Sequence, residues 1–84
     1  MVNAMDTINK RIKLLRKNAG LNQSQLGELL GIKQRAVSMI ESGVNQPTVK
    51  QIEILCNHFG VSSDYLILGR GAIVGVVADR RAAA

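Results

Sequence analysis

The chain has 84 residues, enough for one small domain but not for a second core or a large buried catalytic cavity. Hydrophobic residues make up 46% of it, too many for a disordered tail. Phe59 and Tyr65 are the only aromatics, which argues against a surface that stacks single-stranded bases. Lys and Arg total 11 against 6 Asp and Glu, a net charge of +5 that favours a polyanionic partner, nucleic acid or an acidic membrane surface. The single cysteine, Cys56, excludes an internal disulfide and any multi-cysteine metal site. No apolar run approaches the roughly 18 residues of a membrane span. The opening MVNAMDTINKRIK lacks the uninterrupted apolar stretch of a signal peptide. These features predict a soluble, basic domain of a reduced, cytoplasmic compartment.

Residues 1–6 read as a frayed lead-in. From Thr7 the pattern is helical, with Ile8, Ile12, Leu15 and Ala19 on one face and Lys10, Lys13 and Lys17 opposite. Asp6 or Thr7 is the expected cap and Gly20 the stop. Asn22 caps a second helix over 23–30, with Leu26, Leu29 and Leu30 inward and Gly31 at its end. A third helix is predicted from about Gln34 to Ser42, ended by Gly43. Thr48 and Gln51 have the spacing of a capping box, and Val49, Ile52, Leu55, Cys56 and Phe59 form the apolar stripe of a fourth helix that stops at Gly60. Ser62 caps a short fifth helix with Tyr65, Leu66 and Leu68, closed by Gly69. The composition then shifts. Residues 72–78 are a continuous apolar run with β-branched side chains, a strand-like signal that does not fit the helical plan. The expected fold class is all-α: a five-helix domain over 7–69 and a tail over 70–84 that is either a dimerisation strand or a disordered end.

The informative segment is Gln23 to Ser42. A helix-turn-helix packs two helices at a steep angle across a short turn. Its fifth residue must be small and its ninth must tolerate a left-handed turn; here they are Gly27 and Gly31. Its fourth, eighth, tenth, fifteenth and eighteenth residues should be apolar, and they are Leu26, Leu30, Ile32, Val37 and Ile40. At this chain's composition such a coincidence arises in roughly 2 of 10,000 windows.

The stretch LNQSQLGELLGIKQRAVSMIESG resembles the helix-turn-helix of the lambda-type phage repressors and Cro proteins, a family that also includes restriction–modification controller proteins and antitoxins. VKQIEILCNHFGVSSDYLILG is similar to the family's fourth and fifth helices, so the resemblance covers residues 7–69. It implies a lambda-repressor-like fold with the third helix in the major groove of double-stranded DNA. It places base-reading side chains on Gln34, Arg35 and Met39. Gln can pair with adenine N6/N7 and Arg with guanine O6/N7, while Met39 offers an apolar contact to a thymine methyl. Gln23 is the first choice for a phosphate contact, followed by Lys33, Ser38, Ser42 and Asn45. Lys33 stands where the family often has Ser or Thr, which leaves amide donors free at that helix start. The lysine stripe of the first helix reads as a solvated face with long-range attraction for DNA.

Arg16 and Glu41 each flank the apolar face of their helix, and the family typically pairs an arginine and a glutamate at these places to tie the first helix to the recognition helix. Cys56 on an apolar face reads as core. His58 has no second ligand at metal-binding spacing, so no metal is expected. No Ser/His/Asp set, glycine-rich phosphate loop or carboxylate pair points to an enzyme or a cofactor. The expectation is a sequence-specific regulator of the phage-repressor type, cytoplasmic and nucleoid-associated, bound to a palindromic operator as a homodimer. Tyr65, Leu66 and Leu68, with Ile73, Val74, Val76 and Val77 of the tail, are the expected dimerisation residues. The alternative is an antitoxin or controller protein with a protein partner, a toxin or an antirepressor. No membrane partner is expected.

Overall fold

The computed structural model describes residues 7–70. The tail run with Ile73, Val74, Val76 and Val77 lies outside the described residues. Four α-helices follow one another: α1 (Ile8–Asn18), α2 (Gln23–Leu30), α3 (Gln34–Glu41) and α4 (Val49–Phe59), and then a one-turn helix, α5 (Asp64–Leu68). Among the described residues there is no strand.

Local signals in the sequence set the helix boundaries. The Thr7 hydroxyl accepts from the Lys10 amide and starts α1. Asn22 with Gln25, and Thr48 with Gln51, form complete capping boxes at the starts of α2 and α4. Gly31 ends α2 at φ 75°, in the left-handed region that an L side chain enters at a cost of about 1–2 kcal/mol. From these frames Ile12, Leu15, Leu26, Leu30, Val37, Ile40, Leu55, Val61 and Leu66 converge into one core.

Three expectations are corrected. Ala19 is exposed, because α1 ends at Asn18 and Ala19 is only its cap. Val49, the first residue of α4, is 82% exposed and takes no part in that helix's buried stripe. Leu66 is fully buried, so it is a core residue and not a surface contact. The outward apolar residues of α5 are Ile67 and Leu68.

The family resemblance puts Leu66 at the interface, and the core takes it instead. α5 is a π-type turn, wider than an α-helix. Ser62 Oγ still accepts from the Tyr65 amide at 3.0 Å. The carbonyls of Leu66 and Ile67 accept from Arg11 Nε and Nη2, at 2.9 and 2.7 Å. Arg11 is thus a buried cation at the C-terminal end of α5, where the helix dipole is negative.

Candidate nucleic-acid interface

α2 and α3 meet at Gly27. A Cβ built there would stand 2.5 Å from the Ile32 carbonyl oxygen and 3.4 Å from Val37 Cγ2. The close crossing fixes how α3 projects from the body of the domain. Val37 and Ile40 hold its inner face in the core.

On the outer face Gln34 and Arg35 are exposed, while Ser38 and Met39 are half-buried. Lys33, Ser42 and Asn45 are exposed around them, and Gln23 at the start of α2 is half-buried. The helix start at Lys33 has no side-chain cap; its carbonyl accepts from the Ala36 and Val37 amides at 2.9 and 3.2 Å, and its side chain takes none of the leading amides of α3. At the other end, Met39 O accepts from the Val44 and Asn45 amides at 2.9 and 3.1 Å, which folds the loop after α3 back on its last turn. All eight residues expected at a DNA surface therefore lie on α3 or beside its two ends.

A hydrogen-bonded chain joins this surface to the interior. Arg16 donates from Nε to Glu41 Oε2 at 2.6 Å and from Nη2 to Glu41 Oε1 at 3.0 Å. Its Nη1 donates to the Leu21 carbonyl at 2.8 Å, so one guanidinium stitches together α1, the α1–α2 link and α3. Both side chains are buried. Glu41 is the last residue of α3, the end at which the helix dipole disfavours a carboxylate, and the Arg16 fork offsets that cost. Glu41 Oε1 also accepts from Gln23 Nε2 at 3.1 Å, and Gln23 Oε1 accepts from Gln34 Nε2 at 2.8 Å. Gln23 is thus tied sideways into the same chain that ends on Gln34.

Two buried polar positions had no local signal in the sequence, Asn9 and Arg11. Both lie on α1 and donate to carbonyls more than 30 residues away. Burial pushes the Cys56 thiol up from its ordinary value. Among the described residues no group of three or more His, Cys, Asp or Glu could hold a metal ion, and no helix is long and apolar enough to cross a membrane.

Residues 12–66 match the helix-turn-helix family model. Over 73 residues the chain is 34% identical to the antitoxin PezA of Streptococcus pneumoniae, covering 86% of this chain and 45% of that protein. Over 63 residues it is 33% identical to YonR, an SPbeta prophage-derived HTH-type transcriptional regulator of Bacillus subtilis, covering 75% of this chain and 58% of that protein. The chain spans about half the length of these two relatives. Among solved structures it is similar to the P22 c2 repressor in complex with a synthetic operator, with TM-score 0.70 and 28% identity over 76% of this chain and 97% of that one. The chain belongs to the helix-turn-helix family, and its fold is that of a lambda-repressor-like helix-turn-helix domain.

Proposed function

We propose that the chain is a sequence-specific transcriptional regulator of the phage or prophage repressor type, which binds a palindromic operator in double-stranded DNA as a homodimer. The observation that carries this proposal is the bond from Gln34 to Gln23, with the buried Arg16–Glu41 pair behind it. It fixes one amide hydrogen of Gln34 and leaves its Oε1 and the other hydrogen outward. Those two atoms are the acceptor–donor pair that reads adenine N6 and N7 in the major groove. Arg35, one residue on and exposed, has the fork that reads guanine O6 and N7. Met39 supplies the apolar contact to a thymine methyl.

Gln23, Lys33, Ser38, Ser42 and Asn45 surround these readers and take the flanking phosphates, which set register and not sequence. Arg16 and Glu41 stay inside and hold α3 at its angle. No cofactor enters this scheme, and its setting is the cytoplasm, at the nucleoid.

Two copies are needed because one short helix reads too few base pairs for specificity, and a two-fold dimer places two recognition helices one turn of DNA apart. The second copy would cover the apolar face where Val49, Ile52, Cys56 and Ile67 line one groove, with exposed Leu68 alongside. Tyr65, half-buried on α5, joins that interface, and the tail residues Ile73, Val74, Val76 and Val77 extend it.

Titration of a labelled duplex over a range of salt concentrations tests the scheme. Each neutralised phosphate adds about 0.9 to the log–log slope, so affinity should fall steeply between low and physiological salt. A flat titration favours the second reading, an antitoxin-like module whose main contacts are with a protein. The identity with PezA over 86% of this chain is the observation behind that alternative.

A further inference from the structure

We infer that Asn9, a buried residue on the inner flank of α1, is a positioning residue for the DNA surface: its side-chain amide sets the loop that carries Asn45 against the end of the recognition helix. Asn9 is 6% exposed. Its Nδ2 donates to the Ile40 carbonyl at 2.6 Å and to the Asn45 carbonyl at 3.2 Å. One amide group thus spends its hydrogens on two carbonyls from two sides of a tight loop. Ile40 belongs to the last turn of α3, and Asn45 lies beyond Gly43, which takes a φ of 88° to turn the chain.

The same loop is held from its other side by Met39 O, which accepts from the Val44 and Asn45 amides. These two attachments occupy the main-chain donor and acceptor of Asn45. They leave its exposed side chain as the group free to meet DNA. α1 therefore holds the last turn of α3 by two separate contacts, Arg16 on the Glu41 carboxylate and Asn9 on the Ile40 carbonyl. Arg16 acts through Glu41 and Gln23 on Gln34 at the start, where bases are read. Asn9 acts at the far end, where a phosphate is held. The division predicts that loss of Asn9 weakens binding without changing which sequence is preferred.

The inference rests on the proposed phosphate contact of Asn45, and a double-variant cycle separates the two. Asn9→Leu keeps most of the side-chain volume and removes both donors. Fluorescence anisotropy would compare it with Asn45→Ala and the double variant, on a selected operator and on a duplex of unrelated sequence. Asn9→Leu should weaken both duplexes by a similar factor, about fivefold for one lost contact. Asn9→Leu should then add little when Asn45 is already Ala. No effect of Asn45→Ala would overturn the phosphate assignment itself. A clear effect of Asn45→Ala with Asn9→Leu adding its full factor on top would overturn the positioning role alone, as would a changed base preference in Asn9→Leu. Should Asn9→Leu not fold, side-chain amide NMR of the unaltered protein decides the matter. The Asn9 Nδ2 hydrogens should exchange slowly with and without DNA, while the Asn45 amide shifts on titration. Fast exchange at Asn9, or an Asn45 signal unmoved by DNA, overturns the inference.

Discussion

Gln23 Oε1 accepts a hydrogen bond from Gln34 Nε2 at 2.8 Å, joining the first residue of α2 to the first residue of α3 across the helix-turn-helix. The bond is exposed to solvent, so its worth to folding is small. Its consequence is orientation. Gln34→Ala should weaken operator binding by about 1–3 kcal/mol and relax preference at one base pair of each half-site. Gln23→Ala should relax the same base pair and also weaken unrelated DNA, and the double variant should fall short of the sum in an anisotropy cycle. Full additivity at that base pair would mean that Gln23 does not orient Gln34.

Arg35→Ala should cost about 1–3 kcal/mol on the operator and relax a different base pair. Affinity for unrelated sequence should change far less. Equal losses on specific and random duplexes would move Arg35 from the readers to the phosphate contacts.

Arg16→Met leaves Glu41 buried without its partner, and removing one member of a buried pair costs about 3–5 kcal/mol. The paired replacement Arg16→Met with Glu41→Leu should recover much of that stability, because two apolar groups need no desolvated charge to be matched. It should nevertheless bind the operator poorly, since Gln23 loses the carboxylate that holds it. Chemical denaturation and anisotropy on the same samples give both answers. A stable double variant with unimpaired operator binding would reduce the pair to scaffold.

Gly27→Val should destabilise the domain by about 1–3 kcal/mol or more, since even a Cβ at Gly27 meets the Ile32 carbonyl oxygen at 2.5 Å. Gly31→Ala has open space around it and should cost about 1–2 kcal/mol, through its positive φ alone. Denaturant midpoints rank the two. A milder effect at Gly27 than at Gly31 would contradict the close crossing.

Burial raises the Cys56 thiol pKa, so the folded protein holds this proton to higher pH than the unfolded chain, whose thiol titrates near about 8.5. The associated stability is therefore intact below the unfolded value and is lost as pH rises through it toward the folded one. Iodoacetamide alkylation, followed against pH with and without urea, should show a higher midpoint for the folded protein. Coincident midpoints would show that the thiol is solvated.

The helices were legible in the sequence because their signals are local. Thr7, Asn22 and Thr48 cap within three residues, and Leu26, Val37, Ile40 and Leu55 repeat at helical spacing into the core. The positions that the family resemblance puts at a DNA surface lie on α3 or beside its ends. What escaped depends on packing between distant parts of the chain. Nothing near Asn9 or Arg11 in sequence tells that their amide and guanidinium meet carbonyls of Ile40, Asn45, Leu66 and Ile67. Leu66 escaped because a one-turn helix is too short for its periodicity to separate a core side from an outer side. The bond between Gln23 and Gln34 escaped too, because Gln23 at a helix start has the same sequence signature whether it faces a phosphate or a neighbour.

Selection of bound sequences from a random double-stranded pool tests the central claim most directly. The account predicts a palindrome with half-site centres about 10–10.5 base pairs apart or a multiple of that. It also predicts that Gln34→Ala and Arg35→Ala each lose information at one position per half-site. A pool with no enriched sequence, or the same enriched sequence from all three proteins, would contradict the assignment of α3 as the reading helix.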